Sequence, residues 1–153
     1  MIVDVSTFLP VEPSKVEAHL RTSRLLIHVA SPLVKFIPPS DTQLPETWKE
    51  GTYWVSLRLL GFIPFGKQAV VISYPESPGG FTLRDNGHGM LVRKWDHRIT
   101  IVPSGTGTLY RAHVAIQAGV LTIFIWAAAQ LFYRYRQRRW RQLVASGFDY
   151  SSD

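Results

Sequence analysis

The sequence contains no cysteine, and its 153 residues carry no recognisable catalytic or metal-binding motif. Without thiols the chain forms no disulfides, thiolate metal sites or cysteine nucleophiles. The five histidines lack metal-ligand spacing, so we expect no metal and no cofactor. The glycine-rich turns lack the phosphate-loop lysine and the dinucleotide fingerprint, and no serine lies in a nucleophile elbow. Several common enzyme classes are thereby excluded.

The N-terminal stretch "MIVDVSTFLP" has no basic segment followed by a long apolar core. We therefore expect no cleaved signal peptide and a cytoplasmic protein. The length is that of one domain, residues 1–153, and nothing in the composition divides it.

The positive charge is concentrated near the C-terminus. The net charge is +6, and five arginines lie between 134 and 141, whereas the other twelve basic residues face eleven acids. A duplex-binding domain spreads its charge over a face, so nucleic acid is not the expected partner. Arg134, Arg138 and Arg141 recur at helical spacing. This stripe is either a solvated helix face or a peripheral contact with an anionic membrane surface.

The uncharged run from Val114 to Tyr133 is 20 residues long, enough to cross a bilayer as a helix. However, residues 109–117 alternate between apolar and polar positions, which is typical of a strand, and the alternation ends near Gly119. A helix that starts at about residue 120 has only about 21 Å of uncharged length, against about 30 Å of hydrocarbon. We therefore predict a soluble helix at about 120–145 rather than an anchor.

The remaining pattern predicts an α+β fold. The segment "VDVSTF" is predicted to form a strand, and a helix is predicted to begin at Pro13 after it. A second short helix is predicted in "ASPLVKF", with Ser31 as its cap and Pro32 at its first position. Five or six antiparallel strands follow, with a turn assigned to "NGHG", because Asn-Gly favours tight hairpins. The C-terminal helix then covers one face of the sheet.

The element order and the run from Phe81 to Gly119 resemble the START-like superfamily, also called SRPBCC or helix-grip proteins, of the bacterial polyketide cyclase and ligand-binding type. Where many members carry an aspartate, this chain has Ala112. The resemblance implies a curved antiparallel sheet wrapped around a long C-terminal helix, with an apolar cavity between them. It rests on Phe81, Asp85, Gly89, Trp95, His97, Gly107, Thr108 and Gly119.

Alternate strand positions and helix positions three or four residues apart share one face, which indicates the residues expected to line this cavity. Its walls should be apolar with a few polar groups. The predicted ligand-binding residues are Tyr53, Val55, Leu57, Trp95, His97, Tyr110, Ala112, Val114, Leu121 and Phe124.

His97 is the candidate catalytic residue, because it shares the inward parity of Trp95 and Ile99. The alternative is a buried histidine held by an ordinary hydrogen-bond partner. Asp96 points to the opposite face and does not orient it.

We expect the protein to bind a hydrophobic small molecule, such as a lipid, a quinone or a polyketide-like compound, without catalysing a reaction. The first alternative is a cyclase- or dehydratase-like enzyme that uses His97 as its acid–base group. The second is a membrane-associated protein that acts through helix 120–141.

Overall fold

The computed structural model describes residues 1–151 and contains one antiparallel sheet of seven strands. The strand order is β1-β7-β6-β5-β4-β3-β2, so the first strand pairs with the last. The strands are β1 (Ile2–Leu9), β2 (Val34–Ile37), β3 (Gly51–Leu59), β4 (Ile63–Ser73), β5 (Phe81–Gly89), β6 (Lys94–Ser104) and β7 (Gly107–Gln117).

Two short helices follow β1, as predicted. Helix α1 (Pro13–Leu20) begins at the proline and buries Val16 and Leu20, which lie one turn apart. Helix α2 (Ser23–Ala30) begins immediately afterwards, and its N-cap Thr22 accepts a hydrogen bond from the backbone N–H of Leu25 at 3.3 Å. The segment after Pro13, where the sequence predicted one helix, therefore contains two.

The helix predicted in "ASPLVKF" is wrong. Residues Val34–Ile37 form β2, which pairs with β3 at the edge of the sheet. The Leu33 carbonyl also accepts a hydrogen bond from Leu60 N–H at 2.8 Å. A proline after a possible cap is compatible with a helix start, but pairing with β3 outweighs that local preference.

The turn predicted at "NGHG" is also wrong, because these four residues lie inside β5. The chain reverses one step later, where Gly89 N–H donates to the Val92 carbonyl at 2.8 Å. Gly87 is required not for a turn but for the close approach of β5 to β4. A Cβ there would lie 2.8 Å from the Ala69 carbonyl oxygen, so only glycine fits beside β4.

The boundary between the last strand and the last helix lies close to its predicted position. Strand β7 continues to Gln117, a single 3-10 turn covers Gly119–Leu121, and helix α3 spans Thr122–Ala145. Within residues 1–151 no helix is both long enough and apolar enough to cross a membrane.

Helix α3 packs against β1, β7 and α2 mainly through its second half. Its first two turns are largely exposed, because its buried positions begin only at Ala129. The buried residues of α3 recur at spacings of three and four, as expected for one helix face. They are Ala129, Tyr133, Arg136, Gln137, Trp140 and Leu143.

Candidate functional site

The candidate site is a cavity of about 40 Å³ between the sheet, the α1–α2 pair and helix α3. This volume holds about one water molecule. Most of its wall is apolar, and only Thr22 and three ionisable side chains add polar groups. The lining residues are Leu20, Thr22, Leu25, Leu26, Trp48, Val70, Ile72, Leu83, Asp85, His97, Ile99 and Arg136.

Asp85 and His97 are directly opposite each other on β5 and β6. Side chains at paired positions of antiparallel strands project to the same face, with their Cβ atoms about 5 Å apart. Both residues therefore enter the cavity from neighbouring strands. The strand register, rather than proximity in the sequence, brings the acid to the histidine.

Burial raises the pKa of Asp85 to about 7, because the ionised carboxylate loses its hydration. Although the residue as a whole is only half-buried, its carboxyl group is enclosed by protein atoms. Two contacts oppose the shift: the Val71 backbone N–H donates to Oδ1 at 2.8 Å, and Arg136 adds positive charge nearby. Asp85 can therefore exchange a proton near neutral pH.

His97 is buried and neutral. Desolvation, with a smaller effect from Arg136, lowers its pKa well below the ordinary value of 6.5. Its ring lies 4.8 Å from that of Tyr133, centroid to centroid. Within residues 1–151 the Nε2 atom has no hydrogen-bond partner.

Arg136 brings a buried positive charge from α3 to the same cavity. Its guanidinium carbon lies 5.2 Å from the centre of the Tyr133 ring, a cation–π contact. Its Nε atom has no hydrogen-bond partner in the described chain, and no ion pair there includes this arginine. A buried guanidinium with an unused donor favours an anionic or strongly accepting group beside it.

Tyr133 connects the charged groups to the rest of the core. Its hydroxyl accepts a hydrogen bond from Trp95 Nε1 at 3.2 Å. Burial raises its pKa above the ordinary value of 10.0, so the phenol stays protonated. This packing holds Trp95 and His97 against α3.

Only His97 among the ten predicted ligand-binding residues lines this cavity. Four others, Val55, Tyr110, Ala112 and Val114, are buried in the surrounding core. Tyr53, Leu57 and Trp95 are partly buried, whereas Leu121 in the 3-10 turn and Phe124 in the first turn of α3 are exposed.

The three predicted anion-contact arginines, Arg134, Arg138 and Arg141, all lie on the exposed side of α3. Arg141 Nη1 donates to Thr7 Oγ1 at 2.9 Å, which ties the stripe to β1.

Sequence reasoning missed Asp85 and Arg136 as site residues. The signal for Arg136 was present, because it follows Tyr133 by three residues and precedes Trp140 by four, on the inward face of α3. Asp85 was missed because the sequence analysis placed a turn at "NGHG". A turn there gives β5 and β6 a different register, in which Asp85 does not lie opposite His97 as it does in the structure.

A wider depression of about 580 Å³ lies between α1, α2 and the end of the chain, open to solvent. Several of its polar groups contact one another. His19 Nδ1 and the Tyr150 hydroxyl lie 2.6 Å apart, and Arg24 lies 4.2 Å from the Tyr150 ring centre. The buried cavity, with the unpartnered nitrogen atoms of His97 and Arg136, is therefore the better candidate.

Comparison with solved structures finds matches over nearly the whole chain. A protein from Thermus thermophilus superposes with a TM-score of 0.68 at 10% identity, over 97% of this chain and 100% of that one. A START superfamily protein from Mycobacterium smegmatis gives 0.64 at 14% identity, over 95% and 97%. The AHSA1 protein from Silicibacter pomeroyi gives 0.61 at 10% identity, over 96% and 99%.

The chain has the START-like, helix-grip fold. No family model and no curated protein matches the sequence. At these identities the likeness shows the START-like fold alone.

Proposed function

We propose that this START-like domain binds a small molecule with an apolar body and one polar or acidic group in the buried cavity. The unpartnered nitrogen atoms carry the proposal: Arg136 Nε and His97 Nε2 are buried and have no hydrogen-bond partner in the described chain, and the cavity wall around them is mostly apolar. Buried polar groups without partners are costly, so a site that keeps them is suited to a ligand that satisfies them. Lipid-, quinone- and polyketide-like compounds all have this chemistry.

The size of the cavity requires it to open on binding. A volume of about 40 Å³ is far below that of such ligands. The wall formed by α1–α2 and Trp48 is held together by the Thr22–Thr47 bridge, but within residues 1–151 no strand pairing joins it to β4, β5 or β6. Moving it away from these strands therefore breaks few backbone hydrogen bonds. We infer that the ligand enters by moving this wall away from β4, β5 and β6.

Native mass spectrometry of protein purified without detergent tests the proposal first, and a co-purifying organic mass is the expected result. Affinity is then measured with 8-anilinonaphthalene-1-sulfonate, which combines apolar rings with one anionic group. Arg136→Gln should weaken binding of this probe about 10-fold or more, because a hydrogen bond to a charged group is lost.

Arg134→Gln is the matched control, since it removes an exposed arginine two positions away on the same helix. It should leave the affinity unchanged. Equal affinities for the Arg136 and Arg134 variants, both folded, would contradict binding at the cavity.

Catalysis is the second candidate, favoured by the pairing of a neutral histidine with a carboxyl group whose pKa is about 7. In the dehydration of a compound with a hydroxyl two carbons from a carbonyl, His97 would remove a proton from the carbon between them. The electron pair of that C–H bond would form a carbon–carbon double bond, while the C–O bond broke and the hydroxyl left as water with the proton of Asp85. Incubation of the co-purified compound should then cause loss of water in its mass spectrum. His97→Gln should stop that loss without abolishing binding, whereas a carrier would return the compound unchanged.

A further inference from the structure

Three turns at one end of the sheet expose large apolar side chains. Antiparallel pairing places the β3–β4 turn, the β5–β6 turn and the β7–α3 junction at the same end. From β3 to β7 the sheet is about 19 Å wide, at about 4.8 Å per strand. We call this the loop-end surface, and it comprises Leu60, Phe62, Ile63, Met90, Val120 and Phe124.

These side chains are far more exposed than large apolar residues usually are. Val120 is 91% exposed, Met90 81%, Phe124 72% and Phe62 71%. Scattered single apolar residues are normal on a surface, but several at the same end mark an interaction site.

The charged residues in the segments that form the loop-end surface are all positive. Lys35, Arg58, Lys67 and Arg93 are exposed beside it. The segments 31–37, 57–68, 88–95 and 115–127 contain no aspartate or glutamate. None of these four cations forms an ion pair within residues 1–151. Exposed apolar side chains flanked by basic residues complement an anionic lipid surface.

We propose that the loop-end surface docks the protein on anionic membranes, with the apolar tips in the headgroup region and the basic residues on lipid phosphates. This is a different surface from the arginine stripe of α3. Arg134 lies ten residues beyond Phe124, about 15 Å further along the helix axis. The proposal does not depend on the cavity or on its ligand.

Co-sedimentation with unilamellar vesicles tests the proposal. The wild type should bind vesicles of phosphatidylcholine mixed with phosphatidylglycerol, bind pure phosphatidylcholine much less, and be released by high salt. The pair Phe62→Ser with Phe124→Ser should lower binding at least 10-fold. The pair Lys67→Ser with Arg93→Ser should lower it about 30-fold.

Two controls change the rest of the surface. Leu131→Ser removes an equally exposed apolar residue, 71% exposed, from the middle of α3. Arg134→Ser with Arg138→Ser removes two cations of the arginine stripe. Both controls should bind as the wild type does.

Absence of vesicle binding overturns the proposal, and so does loss of binding only in the arginine-stripe variant. If the protein instead dimerises and the Phe62/Phe124 variant does not, the loop-end surface binds a second copy of the chain. That result would also overturn the proposal.

Discussion

At the scale of single residues, the two buried titratable groups, Asp85 and His97, change the stability of the protein with pH in opposite directions. Asp85 has a pKa of about 7 in the folded protein, against 3.8 for an ordinary aspartate. The folded state therefore binds more protons than the unfolded state between these values. As pH rises through this range, the protein loses stability from Asp85. His97 has a lowered pKa, so it costs stability as pH falls below 6.5.

Asp85→Asn should stabilise the protein at neutral and alkaline pH. The gain in unfolding free energy should be near zero at about pH 4, grow towards about pH 7 and then level off at no more than about 4 kcal/mol. The asparagine oxygen can still accept from Val71 N–H, so the backbone contact is kept. Urea unfolding at several pH values measures this.

Asp96→Asn provides a control of opposite sign. Its carboxylate accepts two hydrogen bonds from Arg84, at 2.8 and 2.9 Å, which lower its pKa. This substitution should destabilise the protein above the ordinary aspartate pKa, and its effect should fade as pH decreases. A pH-independent difference for Asp85→Asn would contradict the raised pKa.

At the scale of elements, the strand-to-helix junction depends on Gly119. Its φ of +57° lies in the left-handed region, and a Cβ added at this position would meet no atom within 4 Å. Replacement therefore costs backbone strain rather than a steric clash.

Gly119→Ala should lower the unfolding free energy by about 1 kcal/mol. Gly119→Asn should cost less, because asparagine tolerates the left-handed region better than alanine does. Chemical denaturation of both variants checks this order. An alanine variant as stable as the wild type would mean that the junction adjusts its backbone freely.

The predictions of secondary structure were correct where neighbouring residues determine it, and they were wrong where contacts between distant residues determine it. Alternation in β7 and the glycine after it were enough to place the start of α3 within two residues. Asn86–Gly87 imitates a hairpin turn, yet Gly87 is needed for close approach to β4. No pattern within β5 itself distinguishes these two uses of glycine.

At the scale of the whole molecule, the two halves of α3 contribute differently to stability. The second half places Trp140 and Leu143 in the core, whereas the first two turns contain no buried residue. Four of the six buried residues of α3 lie in its second half, and its N-terminal turns lie beside the loop-end surface.

Trp140→Ala should therefore lower the unfolding free energy by about 3–5 kcal/mol, because it leaves a large cavity in the core. Leu131→Ala, on the exposed side of the same helix, should change it by less than about 0.5 kcal/mol. Thermal unfolding compares them, and Trp140→Phe serves as a milder variant if the alanine variant does not fold. Similar losses at both positions would contradict the asymmetry of α3.

The α+β class, the helical region after β1, the strand β7 and the length of α3 followed from the sequence itself, because apolar periodicity and helix-breaking residues act over a few neighbours. The meeting of Asp85, His97 and Arg136 was decided only by the tertiary structure. It depends on the β5–β6 register and on the rotation of α3 against the sheet. Both are set by packing between residues far apart in the chain, which local patterns do not encode.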